Sequence, residues 1–245
     1  MTNILSGITL ALLLLQGIGG NGGIGGNGGI GGGVSAPPPP SYSNFGCSIA
    51  GATNIYTTGS INTTGAAAVI ATITSYNPAS PVSIVDNQTG ATLTALTPTN
   101  NSETVQLFHE LVPSSTSATD TFTITGAGGQ NIFGYVCIIP VVGITGAYDG
   151  NLTLGTSGGG SGTTCNTAAV TPSHARNVIV TAVSDGNDTT PFTLDSGFTI
   201  LGQTPFIGGS NFTGGGGILA QTTATAQSPT WGGNGATACV TASYY

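Results

Sequence analysis

Apolar and polar positions alternate along most of this chain in short runs. In GAAAVIATITS, residues 65–75, Val69, Ala71 and Ile73 fall on one side, and in ARNVIVTAVS, residues 175–184, Val178, Val180 and Ala182 do the same. Successive side chains of a strand point to opposite faces, so this period marks half-buried β-structure. VQLFHELV, TFTIT with Phe122 and Ile124 inward, YVCIIPVV, NLTLG, GGILAQTTA and ATACVTASYY continue the series, separated by Gly, Pro and Asn. Many short strands and no helix predict an all-β protein, an antiparallel, jelly-roll-like β-sandwich. The pattern also repeats. Asp86 in VSIVDNQTG and Asp195 in FTLDSGFTI stand at equal distances from the two alternating runs, and each half closes on a strand with one cysteine. Residues 41–245 therefore read as one sandwich head built from two pseudo-repeated halves.

Two segments before the head have different periods. Residues 1–17 carry an apolar run, with Ile4, Leu5, Ile8, Leu10, Leu12, Leu13, Leu14 and Leu15. It is shorter than the roughly 20 residues needed to cross a bilayer, so no membrane span is expected. Its leucines are costly to expose, which predicts an anchor inserted into a partner or packed against copies of itself. A secretory signal peptide is the other reading, although no Lys or Arg precedes the run. Residues 18–40 form a stem and neck. Ile18, Asn21, Ile24, Asn27 and Ile30 are each separated by Gly-Gly, followed by Pro37, Pro38, Pro39 and Pro40. A period of three is that of a polyproline-II helix, which rises about 3.1 Å per residue and has no internal hydrogen bonds. Its backbone groups must be satisfied between chains, so self-association, as a homotrimer about a fibre axis, is expected.

Composition narrows the partners. The chain of 245 residues has one Lys or Arg, Arg176, against eight Asp and Glu, and charged residues make up 4% of it. Nucleic acid and anionic membrane surfaces require a basic face and are excluded. A surface wetted by hydroxyls and amides suits a neutral cell-surface glycan, and the Gly- and Thr-rich segments 155–164 and 208–217 read as the loop tips that would meet it. The shortage of ionisable groups argues against an enzyme.

The order of VDNQTGATLTAL, VQLFHELV, DTFTIT and FGYVCIIPVVGITGAYD, followed by NVIVTAVS and DSGFTILGQ, resembles a β-sandwich domain of bacteriophage virion fibre and decoration proteins and of secreted bacterial surface proteins. The likeness covers residues 65–245 and rests on short pieces such as VDNQTG and SGFTIL. It implies a structural role at a virion or cell surface and carries over no catalytic residue. The anchor and stem are not part of that domain.

Candidate chemistry is sparse. His109 sits at strand parity with Leu107 and Leu111 and reads as a core or interface histidine. His174 lies in the loop TPSHAR. Neither has a second ligand at zinc spacing, the SDGND run at 184–188 reads as a turn in place of a calcium loop, and no cofactor or metal is expected. Glu103 and Glu110 fall on opposite strand faces and do not form a glycosidase pair. Cys47, Cys137, Cys165 and Cys239 allow two bridges, with Cys47 to Cys137 and Cys165 to Cys239 following from the half-repeat, or else four free thiols. The reading at this stage is a virion surface protein, a fibre, spike or decoration protein. It would be held to a capsid, tail or other virion protein by its N-terminus. The alternatives are an extracellular pilus or adhesin filament subunit and a secreted carbohydrate-binding module, the last disfavoured because Trp231 stands alone.

Overall fold

The computed structural model describes residues 38–75, 82–101, 103–126, 132–156, 164–185, 191–195, 197–204, 213–233 and 236–245. The anchor and all the stem positions lie outside these residues. The unit that begins at Pro37 contains the head.

The head is all-β. Its first half contains β1 (Gly46–Thr53), β2 (Ile55–Thr57), β3 (Ala68–Ser75), β4 (Val82–Asp86), β5 (Thr94–Ala95), β6 (Thr99–Asn101), β7 (Glu103–Leu111), β8 (Phe122–Gly126) and β9 (Ile132–Val141). Its second half contains β10 (Tyr148–Thr156), β11 (Thr164–Asn166), β12 (Asn177–Asp185), β13 (Thr193–Leu194), β14 (Thr199–Thr204), β15 (Thr213–Gln221), β16 (Thr230–Gly232) and β17 (Ala236–Tyr244). All the pairings are antiparallel.

The two halves have the same topology. In the first, a large sheet runs β1-β9-β3-β7-β5, with β6 also on β7, beside a small sheet β2-β8-β4. In the second, a large sheet runs β10-β17-β12-β15-β14 beside a small sheet β11-β16-β13. First strand next to last, and last next to third, is the jelly-roll order. Each half is thus a sandwich in its own right, and the pseudo-repeat gives two sandwiches where the sequence pattern predicts one.

Three cores follow from the layering. One outer core lies between β3, β7 and β9 and the small sheet, with Val69, Ala71, Ile73, Phe108, Phe122 and Ile124 buried. The other contains Cys165, Val183, Phe192, Trp231 and Cys239. The largest lies between the two large sheets and holds Ile70, Leu107 and Ile139 from one half and Val178, Val180, Ile218 and Tyr244 from the other. Large sheets buried on both faces explain why β3 and β12 have no exposed position, a pattern expected of sheets covered on both sides.

The repeat read from the sequence is one residue out of register. Val69, Ala71 and Ile73 face an outer core, whereas Val178, Val180 and Ala182 face the central one. A slip of one residue exchanges strand faces. The outward counterparts in β12 are its odd positions, where Val183 joins the second outer core.

The strands give the head two distinct ends. At one, Ser41, the first residue after the neck, forms a two-way bridge with Val142 (3.0 and 2.9 Å), and Ala147 does so with Tyr245 (both 2.9 Å). A side chain at Gly143 would meet Pro39 and Pro40. At the distal end, Ser75 pairs with Thr104 and Gly134, and Asp185 pairs with Thr213 and Ala236. There the strands lead into 76–81, 127–131, 157–163, 186–190, 205–212 and 234–235, which lie outside the described residues.

One residue at the neck end is strained. Val112 has φ 49°, a left-handed backbone that a β-branched residue adopts at a cost, and it precedes Pro113, which restricts it further. Its side chain is 67% exposed, so little packing offsets the strain. Val112→Asn keeps the amide that donates to the Ala67 carbonyl (2.9 Å) and is expected to stabilise the head by about 1 kcal/mol, read as a rise in Tm of roughly 2–4 °C.

Candidate functional site

The side chains weighed from the sequence fall into four places. His109 lies at the rim of the central core, where its ring centroid is 5.3 Å from that of Tyr148 and 5.7 Å from that of Tyr244. Burial lowers its pKa, so the ring stays neutral and serves as packing between the two sandwiches.

At the neck end a cavity of about 400 Å³ is lined by Pro38, Gly143, Thr145, His174, Arg176 and Tyr245, among others. His174 stacks on Tyr245 with centroids 3.7 Å apart, and its Nδ1 lies 2.7 Å from Ser173 Oγ. Ser173 Oγ in turn donates to Asp149. The side chain of Asp149 is fully buried and its second oxygen accepts from Ser243 Oγ at 2.9 Å. The order of contacts is Asp–Ser–His with the hydroxyl in the middle, whereas a nucleophilic triad needs the imidazole in the middle. Arg176, the chain's single basic residue, donates through Nη2 to the Gly143 carbonyl at 2.7 Å. This cluster ties the loop before β12 to the β9–β10 connection at the point where the neck enters.

The four cysteines form two bridges, Cys47–Cys137 and Cys165–Cys239. They are not equivalent in place. The first joins neighbours of one sheet, since Cys47 is the direct partner of Cys137. The second crosses the second sandwich, from β11 in its small sheet to β17 in its large one.

Glu103 and Glu110 point to opposite sides of β7, as their parity requires. Glu110 converges with two acids that the sequence did not connect to it. The carboxyl groups of Glu110 and of Asp120 both reach hydrogen-bonding range of Asp86. Burial, and then Asp86 beside it, push Glu110 up to about 7, and burial and the Asp86 charge push Asp120 up to about 6. No spacing could have revealed this group, because strand pairing brings it together from three separate segments. Among the described residues, no set of three or more His, Cys, Asp or Glu side chains is arranged to hold a metal ion.

The segment 208–217, read as a loop tip, is corrected in part. Residues 213–217 belong to β15 and are buried, because the first sandwich packs on one face of this glycine run and Phe192 and Trp231 on the other, while 205–212 lie outside the described residues. Trp231 is fully buried and is no sugar platform.

Among the described residues most carboxylates are withdrawn from the surface. Asp86, Glu103, Asp120 and Asp185 are at most 3% exposed, and the Asp149 side chain is buried. Among the described residues Asp195 is the exposed carboxylate, and it accepts from the Thr230 amide at 2.6 Å.

No protein-family model matches the chain. No curated protein matches it. Among solved structures, a chain of the X-ray structure of Melon necrotic spot virus aligns over 90% of this chain and 97% of its own, with 11% identity and a TM-score of 0.22. That likeness is too slight to bear on fold or function. No helix among the described residues is long and apolar enough to cross a membrane.

Proposed function

We propose that this chain is a non-enzymatic structural component of a virion surface, a fibre, spike or decoration protein. It is attached through its N-terminal segment, assembled as a homotrimer, and displays the paired sandwich to a neutral cell-surface glycan. The observation that carries this reading is the polarity of the head: the neck enters at one end, where Pro39 and Pro40 lie against Gly143 and Ser41 just after them bridges Val142, and the strands end at the opposite end, away from that entry. The withdrawn charges support it, because an uncharged face recognises neutral hydroxylated ligands and has little to offer ionic ones.

A filament subunit outside the cell is the second reading. It is favoured by the two disulfides, which persist in oxidising compartments. Purifying the native assembly separates the two readings: particles enclosing nucleic acid support the virion role, and filaments without it overturn that role.

The attachment claim has its own outcome. Deleting residues 1–37, which spares the buried Pro40 and the Ser41 bridge, is expected to leave a soluble head that melts cooperatively, sediments as a monomer and no longer joins particles, while the full chain sediments as a trimer. Truncated heads that decorate particles at normal occupancy would place the attachment in the sandwiches.

A further inference from the structure

The acids at the neck end of the first sandwich sit in a geometry that ordinary carboxylates cannot share. Asp86 ends β4 and is fully buried. Its Oδ1 accepts the amides of Gln88 (2.7 Å) and Thr89 (3.1 Å), which close the turn after the strand. Its Oδ2 is buried with no hydrogen-bond donor, as are Glu110 Oε2 and Asp120 Oδ1. Asp120 leads into β8, forms a bridge with Ile61, and receives Thr63 Oγ1 on Oδ2 at 3.2 Å. Strand pairing brings the carboxyl groups of Glu110 and Asp120 each beside that of Asp86, with these three oxygens buried together. An ionised carboxylate only accepts, so two of them cannot bond unless one carries a proton. The other side chains in reach, Thr63 and Thr89, bring no charge. His109, next along β7, faces the opposite side toward Tyr148 and Tyr244, and Arg176 is bound to Gly143 in the neck-end cavity.

We propose that Asp86, Glu110 and Asp120 form a proton-dependent clamp, in which Glu110 and Asp120 as neutral acids donate to Asp86, and which loosens the neck end of the first sandwich when those protons leave. The parts it holds are defined. Glu110 is on the large sheet, Asp86 and Asp120 are on strands of the small one or the approach to it, and the clamp joins the two layers across an outer core. The segment 112–121, which follows Glu110 and contains Asp120, is also tied by hydrogen bonds to Ile61, Thr63, Gly65, Ala67, Asn87 and Gln88 and carries the strained Val112. It lies beside the neck because the Val112 amide bonds to Ala67, whose own amide bonds to Val141 next to the Ser41 bridge. Loss of the protons puts charges together in a buried site, and the segment that can yield is the one nearest the attachment.

The direction with pH is fixed by the raised values. The folded state keeps protons that the unfolded chain gives up in the ordinary carboxylate range, near pH 4. The stabilisation is therefore complete below that range and is lost as pH rises through about 6 and about 7. The buried His109, whose pKa is lowered, acts in the opposite sense, costing stability as pH falls below about 6.5.

The test is thermal unfolding of the full-length chain between pH 5 and pH 8 in EDTA, paired with hydrogen exchange over 86–91 and 112–121 corrected for intrinsic rates. A fall in Tm of about 5 °C or more, with protection lost first in those two segments, is expected. In Glu110→Gln, whose amide donates to Asp86 at every pH, the fall should shrink by at least half. If that variant does not fold, Asp120→Asn serves in the same way. A wild-type Tm that is flat across the window, or a Glu110→Gln curve that tracks it, overturns the clamp. So does a gain of 5 °C or more on adding calcium chloride at pH 8 that the variant lacks, because the same oxygens would then be a cation site.

Discussion

Gly214→Val is expected to destabilise the head by about 3 kcal/mol, seen as a fall in Tm of roughly 6–12 °C. Gly214 lies in β15 on the face that meets the first sandwich, and a Cβ built there would overlap the hydroxyl of Thr74 and come within 2.9 Å of its Cβ and 3.0 Å of the Tyr135 Cβ. Its neighbours along the run are less crowded but also covered on both faces. Gly216 faces Thr72 and Tyr135 on the same side, and Gly215 and Gly217 face Phe192 and Trp231 on the other. The sheets approach here more closely than side chains allow, so a substituent forces them apart over the central core. Thr74→Ala removes the nearest obstacle and should return part of the loss in a double-mutant cycle. Gly59→Ala, with nothing within 4 Å of the added carbon, should stay within about 0.5 kcal/mol of wild type. If Gly214→Val also melts like wild type, the two large sheets are not in contact at this strand.

Trp231→Ala should cost still more, about 4 kcal/mol, because the second outer core is small and Trp231 is its largest member. The ring meets Phe192 edge-on, with centroids 5.8 Å apart. Its indole N–H donates to Thr181 Oγ1 at 2.9 Å, which also receives Thr241 Oγ1 at 3.0 Å, and Thr167 Oγ1 donates to Thr241 Oγ1 at 3.1 Å. This buried hydroxyl relay ends at the indole, so Trp231→Phe should lose the relay's terminal donor at a cost of about 1–2 kcal/mol while keeping most of the volume. Denaturant unfolding of both variants measures the difference. Equal losses in Phe and Ala would show that the relay, and not the ring volume, sets the stability of that sandwich.

The strands were legible wherever one residue in two had to be apolar. VSIVD and FTITG alternate and are β4 and β8, each with one face on an outer core. The layering was not legible. In AVIATITS both faces are buried, so the alternation that marks a half-buried strand no longer tells which face looks where, and the internal match with NVIVTAVSD was drawn one residue out. By sequence TGGGG predicts a loop, because glycine punctuates most chains, and only the close approach of two sheets, a property of residues far away in sequence, makes it a strand. The carboxyl group was invisible for the same reason. Glu110 is paired across strands with Val69, and nothing near it in sequence points to Asp86 or Asp120. The cysteine pairing was within reach because each half opens and closes on one cysteine, yet the repeat did not foretell that one bridge stays within a sheet and the other crosses between sheets.

The duplication has a further consequence. In the stack of large sheets, β1 meets β14, β9 meets β15, and β7 meets β17 and β12, so the strand order of one half runs opposite to that of the other with β3 and β12 at the middle. This is the arrangement of two subunits about a two-fold axis along the strands, with the central core as their interface. Two separate jelly rolls would hold it only as well as their concentration allowed. Here residues 142–147, between β9 and β10, tether the partners, and a short tether fixes the local concentration of one for the other in the millimolar range or above. Docking of the two sandwiches should therefore be indifferent to dilution, and an assembly that frees its components at low abundance would still release each head as a closed pair.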